Sequence, residues 1–491
     1  MAAACGYAVV LIGLLPGLVL LSPGVRFGAA LALQCVVVAH TGGALTRVLT
    51  SASVRLVALG FWLFAYVWLG LAPLAMLATD TYPLGYRTGQ ATAFATVALT
   101  ELGLLAYSAG AALAANRVRR RSVLLEPLLS RSLVPVPVLL LSGLAVVLAV
   151  LLIPRQGGWD AFFTSRQAVR ESGAAIDPET GSATGTGRTL LIWAVAVAAF
   201  WAMVALVHLP RRPARDQVLR RFRWILLPLV VAINLVVNNP ISKPRFWSGT
   251  VLLTLLFASS RFSRPQACRL AAAAVTAVVL LVFPYGNYFR YDQREPVHVV
   301  ALAEQFTGGM DYDAFQQMQT GIDYARDTGF SPSSALGPVL FMVPRTMWPD
   351  KPVDTGARLA EYAGYDFKNL SAPLWIEAYL WAGIPSVIAV FCLLGAVGAR
   401  MDHIRERLAG KRATLAALLV PGFAFYQIVV LRGGLMAVAG PLLLLLTIPL
   451  LITGRAARSA RSLSPAPPYE TAGHVPIPGT GGNRDQPHQL R

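Results

Sequence analysis

An all-α polytopic membrane protein with about 12 transmembrane helices and two long outer loops is the fold class that three features of this chain predict. Hydrophobic residues make up 55% of the 491 residues and charged residues only 13%, far from the balance of a soluble domain. Apolar runs of bilayer-crossing length recur along the whole chain. The net charge of +18 is carried as arginine in short segments between those runs, a positive-inside pattern that sets nucleic acid aside as a partner.

A hydrocarbon core about 30 Å thick needs roughly 20 helical residues. That ruler places spans at residues 4–22, 27–46, 56–79, 89–115, 133–153, 189–209, 222–238, 246–260, 268–285, 374–398, 413–431 and 434–453. The chain thus divides into nine spans within 1–285 that include an outer loop at 154–188, a large extracytoplasmic loop domain at 286–373, three spans within 374–453, and a Pro/Ser/Gly-rich tail at 454–491. The tail is too poor in apolar residues to order itself and is expected to be disordered. Arg47 and Arg55, Arg117 to Arg121, Arg211 to Arg223, Arg261 to Arg269, Arg400 to Arg412 and Arg455 to Arg461 fall on alternate connections, which predicts both termini in the cytoplasm. Cys5, Cys35, Cys268 and Cys392 lie in or beside apolar runs without CxxC spacing and read as small buried hydrophobes. The first residues carry no basic n-region, so no cleaved signal peptide is expected.

The two long connections hold most of the chemistry. The 154–188 loop carries Arg166 and Arg170 on a short amphipathic stretch, followed by a Gly/Ser/Thr-rich lid. In 286–373, helical patterns run from Val297 to Phe306 and from Asp313 to Tyr324, and abundant aromatic residues predict an ordered region. Its later part, Pro344 to Pro352, sets Arg345, Trp348, Asp350 and Lys351 between prolines, on a stiff non-helical backbone. Between the seventh and eighth spans, Asn238 to Gly249 concentrates Asn239, Pro240, Lys243, Pro244 and Arg245. It reads either as a re-entrant turn lining a wet cavity or as an interfacial hairpin whose cations snorkel to lipid phosphates.

Arg245, Arg290, Arg294, Arg345 and Lys351 are therefore cations expected on the side that positive-inside bias disfavours. Guanidinium forks bind phosphate oxygens in bidentate fashion and stabilise charge on a departing pyrophosphate. Asp350, Glu377 and His298 are the candidate proton acceptors for an attacking hydroxyl, each equally readable as a salt-bridge partner or cap. Glu101 lies inside the fourth span, where a carboxylate is a functional candidate by default, free to be protonated or paired with an arginine. Asn234 reads as interhelical glue. No P-loop, nucleophile elbow, HExxH or His/Cys cluster is present, and Asp80 stands alone in the first outer loop, so no metal and no cofactor are expected.

Pro344-Arg-Thr-Met-Trp-Pro-Asp-Lys-Pro352, Glu377-Ala-Tyr-Leu-Trp-Ala-Gly383 and the Asn239-Pro240 to Arg245 spacing together resemble the O-antigen (Wzy-type) oligosaccharide repeat-unit polymerases. The likeness covers most of residues 1–455, while the arginine content and the long C-terminal tail depart from what the family requires. It implies a GT-C-like membrane glycosyltransferase of the bacterial cytoplasmic membrane, acting on undecaprenyl-pyrophosphate-linked oligosaccharide among membrane lipids, with a chain-length regulator as a further partner. Residue by residue it implies Arg245 and Arg345 at the pyrophosphate with Lys351 nearby, and Glu377 at the start of span ten. Arg166, Arg170, Arg290, Arg294, Asn239 and Trp348 complete the expected substrate-binding set. An O-antigen-ligase-type transferase, with His298 as its outer-loop histidine, and a flippase of lipid-linked oligosaccharide, favoured by Glu101, are the rival readings.

Overall fold

Backbone in hydrocarbon has to satisfy its own N–H and C=O groups, and this chain does so with helices. The structure is a computed structural model that describes residues 2–22, 24–116, 125–156, 158–163, 183–209, 217–241, 243–281, 301–368, 370–409 and 413–455. Among the described residues, eight helices are long and apolar enough to cross a membrane. They are Ala3–Leu20, Ala29–Thr50, Leu56–Thr79, Gln90–Asn116, Pro135–Leu152, Leu190–His208, Ile384–Arg407 and Leu415–Arg432. Shorter apolar helices occupy Arg245–Ala258, Pro265–Leu281 and Leu435–Leu451, and Gln217–Val237 is a helix with an arginine-rich start. The protein is an all-α polytopic membrane protein.

Leu56–Thr79 runs through the middle of the bundle with almost every residue buried. Small residues let its neighbours close in. Gly60 lies against the Ala424 carbonyl, and Gln427 Nε2 reaches back to the Val57 carbonyl at 2.6 Å. Gly110 of Gln90–Asn116 meets the Cys392 backbone, and Gly395 of Ile384–Arg407 meets the Tyr107 carbonyl. Without a hydrophobic force between helices in lipid, such close contacts carry the association. A second core gathers Trp201, Trp247 and Tyr426 between the Ala183–His208, Arg245–Ala258 and Leu415–Arg432 helices. There Asn234 donates to the Ala199 carbonyl at 2.8 Å, acting as the interhelical glue expected of it.

Three expectations change. The tenth span is not continuous: Leu374–Ala382 and Ile384–Arg407 are separate helices that meet at Gly383, whose φ of 73° suits a residue without Cβ, with Pro385 opening the second helix. The 286–373 segment is not a domain of its own over its described part, 301–368 and 370–373. Phe306, Tyr312, Phe315 and Met318 are buried in the same core as Trp68 and Trp375. Its described helices include Leu302–Gly308 and Ala314–Thr328, which overlap the expected stretches, and Thr355–Tyr362. The order of the chain also extends past residue 453. Thr453–Gly454 pairs antiparallel with Ser132–Leu133, while residues 456–491, the expected disordered tail, lie outside the described residues.

The connections sort by end. At one end, the 84–86 backbone binds Gln316, Thr92 binds Asp323, and the start of Arg245–Ala258 meets the 310–313 turn and Arg432. At the other, residues 131–134, 413–415 and 452–454 join through backbone hydrogen bonds. There too Asp402 accepts from the Val57 and Ala58 N–H groups at 2.9 and 3.1 Å.

The tight crossing of Gln90–Asn116 and Ile384–Arg407 makes a prediction. Gly395→Val should lower the thermal unfolding midpoint in lipid discs, at a cost of about 1–3 kcal/mol for overpacking. Gly143→Ala, whose Cβ meets open space inside the Pro135–Leu152 helix, should not lower the midpoint.

Candidate functional site

Two aspartates at the start of the Ala314–Thr328 helix organise one end of the bundle. Asp311 forms an ion pair with Arg245, the first residue of Arg245–Ala258, and lies 4.0 Å from Arg432. Its carbonyl accepts from Trp68 Nε1 at 2.9 Å and from Arg432 Nε at 3.0 Å. Asp313 is buried, accepting from Arg432 Nη2 at 2.9 Å and from the Ser371 N–H at 3.0 Å. Arg432 ends the Leu415–Arg432 helix, where the helix dipole favours a cation, and lies 5.0 Å from the Phe246 ring centre. Its own carbonyl accepts from Ala372 N–H at 3.1 Å.

Gly433 and Gly434 then lead straight into Leu435–Leu451, whose first N–H groups have no partner within the helix. Glu377 supplies one: its Oε1 accepts from Leu435 N–H at 3.0 Å while Oε2 accepts from the Thr355 hydroxyl at 3.0 Å. Asp354 caps Thr355–Tyr362 by accepting from Gly356 N–H at 3.1 Å, and lies so close to Gly434 that a Cβ there would overlap its carboxylate. Arg358, one turn on, sets Nη2 at 3.5 Å from the Thr355 hydroxyl and lies 5.8 Å from the Tyr324 ring centre.

Burial dominates the acidity of this pair. It pushes Glu377 up to about 7, with the Asp354 charge adding to it while the Leu435 N–H, the Thr355 hydroxyl and Arg358 pull the other way. Asp354 is raised too, mainly by burial, against nearby backbone N–H groups and Arg358. Leu374–Ala382, the helix that carries Glu377, is nine residues long, or about 13.5 Å, too short to span a bilayer. Several buried polar atoms nearby have no partner among the described residues: both amide atoms of Gln317, the Ser371 and Tyr312 hydroxyls and Arg358 Nε. Gln317, Gly321 and Tyr324 share one helix face, on which Gly321 meets Ile376 and Tyr324 meets Arg358. An unmet buried polar group costs about 1–3 kcal/mol, so a polar partner at these donors and acceptors would be stabilising.

The sequence-predicted residues divide accordingly. Arg245 and Glu377 belong to this network, at opposite ends of the four-residue connection from Arg432 to Leu435. Arg345 is exposed and donates to the carbonyls of Lys351 at 2.7 Å and Pro352 at 3.4 Å. Lys351 Nζ donates to the Phe341 and Val343 carbonyls at 2.6 and 2.9 Å, and burial with the Arg345 charge lowers its pKa. Asp350 is exposed and Trp348 half-buried. Asn239 latches its turn, donating to the Phe162 and Val236 carbonyls and accepting from Ile241 N–H at 2.9 Å. Lys243 is buried with Nζ 5.1 Å from the Trp193 ring centre, so it packs within the protein. Arg166, Arg170, Arg290, Arg294 and His298 lie outside the described residues. Glu101 pairs with His40, Nδ1 to Oε1 2.8 Å, rather than with an arginine.

Sequence reasoning missed Asp311, Asp313, Asp354, Thr355, Arg358 and Arg432. The signal for Arg432 was present, since the connection between the last two spans is one that positive-inside bias leaves without cations. No family model, curated protein or solved structure matches the chain. Among the described residues, no three His, Cys, Asp or Glu side chains converge as a metal site. What the cluster offers is a buried carboxyl group whose pKa is raised to about 7, a guanidinium beside the hydroxyl it accepts from, and polar atoms without a partner among the described residues.

Arg432→Leu should destabilise the protein strongly, by about 3–5 kcal/mol, because it strands the buried Asp313. Adding Asp313→Asn should recover part of that loss. Chemical or thermal unfolding of the single and double variants in lipid discs measures both effects.

Proposed function

We propose that the protein is a glycosyltransferase that polymerises undecaprenyl-pyrophosphate-linked oligosaccharide repeat units into a cell-surface polysaccharide. In this reading the frame is GT-C-like with about 12 spans, both termini lie in the bacterial cytoplasm, and the Glu377 end of the bundle faces outward. The carrying observation is Glu377 itself: a carboxylate buried in a polar cluster, held near neutral acidity, with Arg358 beside the hydroxyl it binds.

A base works best when its pKa lies near the working pH. The acceptor sugar hydroxyl attacks the anomeric carbon with inversion, and its proton passes to a Glu377 carboxylate oxygen. The bond from that carbon to the pyrophosphate oxygen breaks, and the lipid pyrophosphate leaves with the electron pair. Arg358 stabilises that charge together with Arg245 and Arg345, the two cations the family resemblance implies. Gln317 and Ser371 supply hydrogen-bonding groups suited to sugar hydroxyls.

A transporter of lipid-linked oligosaccharide is the second reading, and the His40–Glu101 pair favours it. These ionisable groups meet midway along Ala29–Thr50 and Gln90–Asn116, and Glu101 Oε2 is buried without a partner among the described residues.

The test is the length distribution of cell-surface glycan in a deletion strain complemented with wild type, Glu377→Gln or Arg345→Ala at equal protein levels. Polymerase action predicts long ladders with wild type and collapse to single repeat units with Glu377→Gln and with Arg345→Ala. Long polymer retained on the lipid carrier would point to a ligase. Repeat units held on the cytoplasmic face would point to a transporter, and full-length ladders from Glu377→Gln would remove that residue as the base.

A further inference from the structure

We propose that residues 336–353 are seated in the bilayer interface, with their apolar side chains among the lipid acyl chains and Arg345 and Lys351 at headgroup level. Leu336, Val339, Leu340, Met342, Met347 and Val353 are between 41% and 78% exposed. Scattered apolar side chains on a surface are ordinary, but six exposed within eighteen residues concentrate apolar surface on one segment.

The segment has a fixed shape. Lys351 Nζ binds the carbonyls of Phe341 and Val343, Arg345 binds those of Lys351 and Pro352, and backbone hydrogen bonds run from Met347 and Trp348 to Pro344. The two cations thus close 341–352 into a loop that presents its methionines outward.

Its depth follows from what it packs on. Gly337 lies against Met436, and the Phe341 ring lies against Gly440 of the apolar Leu435–Leu451 helix. Gly440 is five residues into that helix, about 7.5 Å along its axis at 1.5 Å per residue. Apolar faces of interfacial segments bury about 5–10 Å into the boundary between headgroups and acyl chains, the same depth. The helix shows lipid-facing character of its own through exposed Leu443 and Leu451, so the patch continues a surface already suited to lipid. Half-buried Trp348 has the amphipathic ring favoured at this level, and Arg345 and Lys351 can keep their charge at the phosphates while their stems lie along apolar surface. This inference concerns how the segment sits in the membrane and stands whether or not the protein is a glycosyltransferase.

The experiment uses wild-type protein in lipid discs that hold one copy each, exposed to chloramine-T, a charged oxidant that stays in water, with methionine oxidation followed by mass spectrometry. In water, Met342 and Met347 would oxidise at nearly the rate of a free methionine peptide. Seated in lipid, both should oxidise about tenfold more slowly. In a parallel sample, a phospholipid with a photoactivatable group on its acyl chain should leave adducts within residues 336–353. Free-peptide oxidation rates would overturn the proposal. So would protection without lipid adducts, which would mean that another part of the chain covers the patch, or protection seen only in discs that hold two copies, which would assign the face to a second copy.

Discussion

Charge taken into one end of an apolar bundle has to be paired, and the pairing of Arg432 with Asp311 and Asp313 is the constraint on which the rest of that end depends. Arg432 closes one helix, and the next begins three residues later at Leu435, so fixing its guanidinium also fixes where Leu435–Leu451 starts. The aspartates belong to the 301–373 segment, and Arg245 reaches Asp311 from a third helix. One buried ion network thereby ties the long connection to the bundle and delivers Glu377 and Asp354 to the head of Leu435–Leu451. Exposed ion pairs contribute little, but these groups are mostly withdrawn from water, so removing one partner leaves another charge stranded.

Glu377 has two roles that pull in opposite directions. As an ion it satisfies a helix N–H and the Thr355 hydroxyl, yet burial beside Asp354 favours its neutral form. Raising a carboxyl from its ordinary value near 4.5 to about 7 costs about 3 kcal/mol once it ionises. The sign follows from the raised pKa: the stability it contributes is fully present below about pH 4.5 and is lost as pH rises through about 7. A fold that keeps a carboxylate under such tension at the edge of a polar cluster holds a group able to exchange protons at neutral pH.

The helical plan was legible because hydropathy reports it directly: over their described residues the apolar runs expected to span are largely helical, and eight helices are long and apolar enough to cross a membrane. The break at Gly383 was not legible, since apolar residues continue on both sides and only the Gly383 to Pro385 sequence marks it. Partners in the charged network were beyond reach for a different reason. Arg245 and Asp311 are 66 residues apart and Arg432 and Asp313 are 119 apart, and no local pattern encodes such pairs. Prolines around Arg345 and Lys351 lie in or beside turns, the non-helical backbone expected of them. The two cations also bind their own loop's carbonyls, which sequence spacing does not reveal.

The central claim is that Glu377 is a buried carboxyl group that titrates near neutrality. Infrared difference spectra of the purified protein in lipid discs, recorded stepwise between pH 4 and pH 9, read the protonated carboxyl stretch directly. The account predicts a band that disappears with a midpoint of about 7 and is missing from Glu377→Gln. A wild-type protein with no Glu377-dependent band in that range, or one whose midpoint lies at the ordinary carboxylate value, would contradict it.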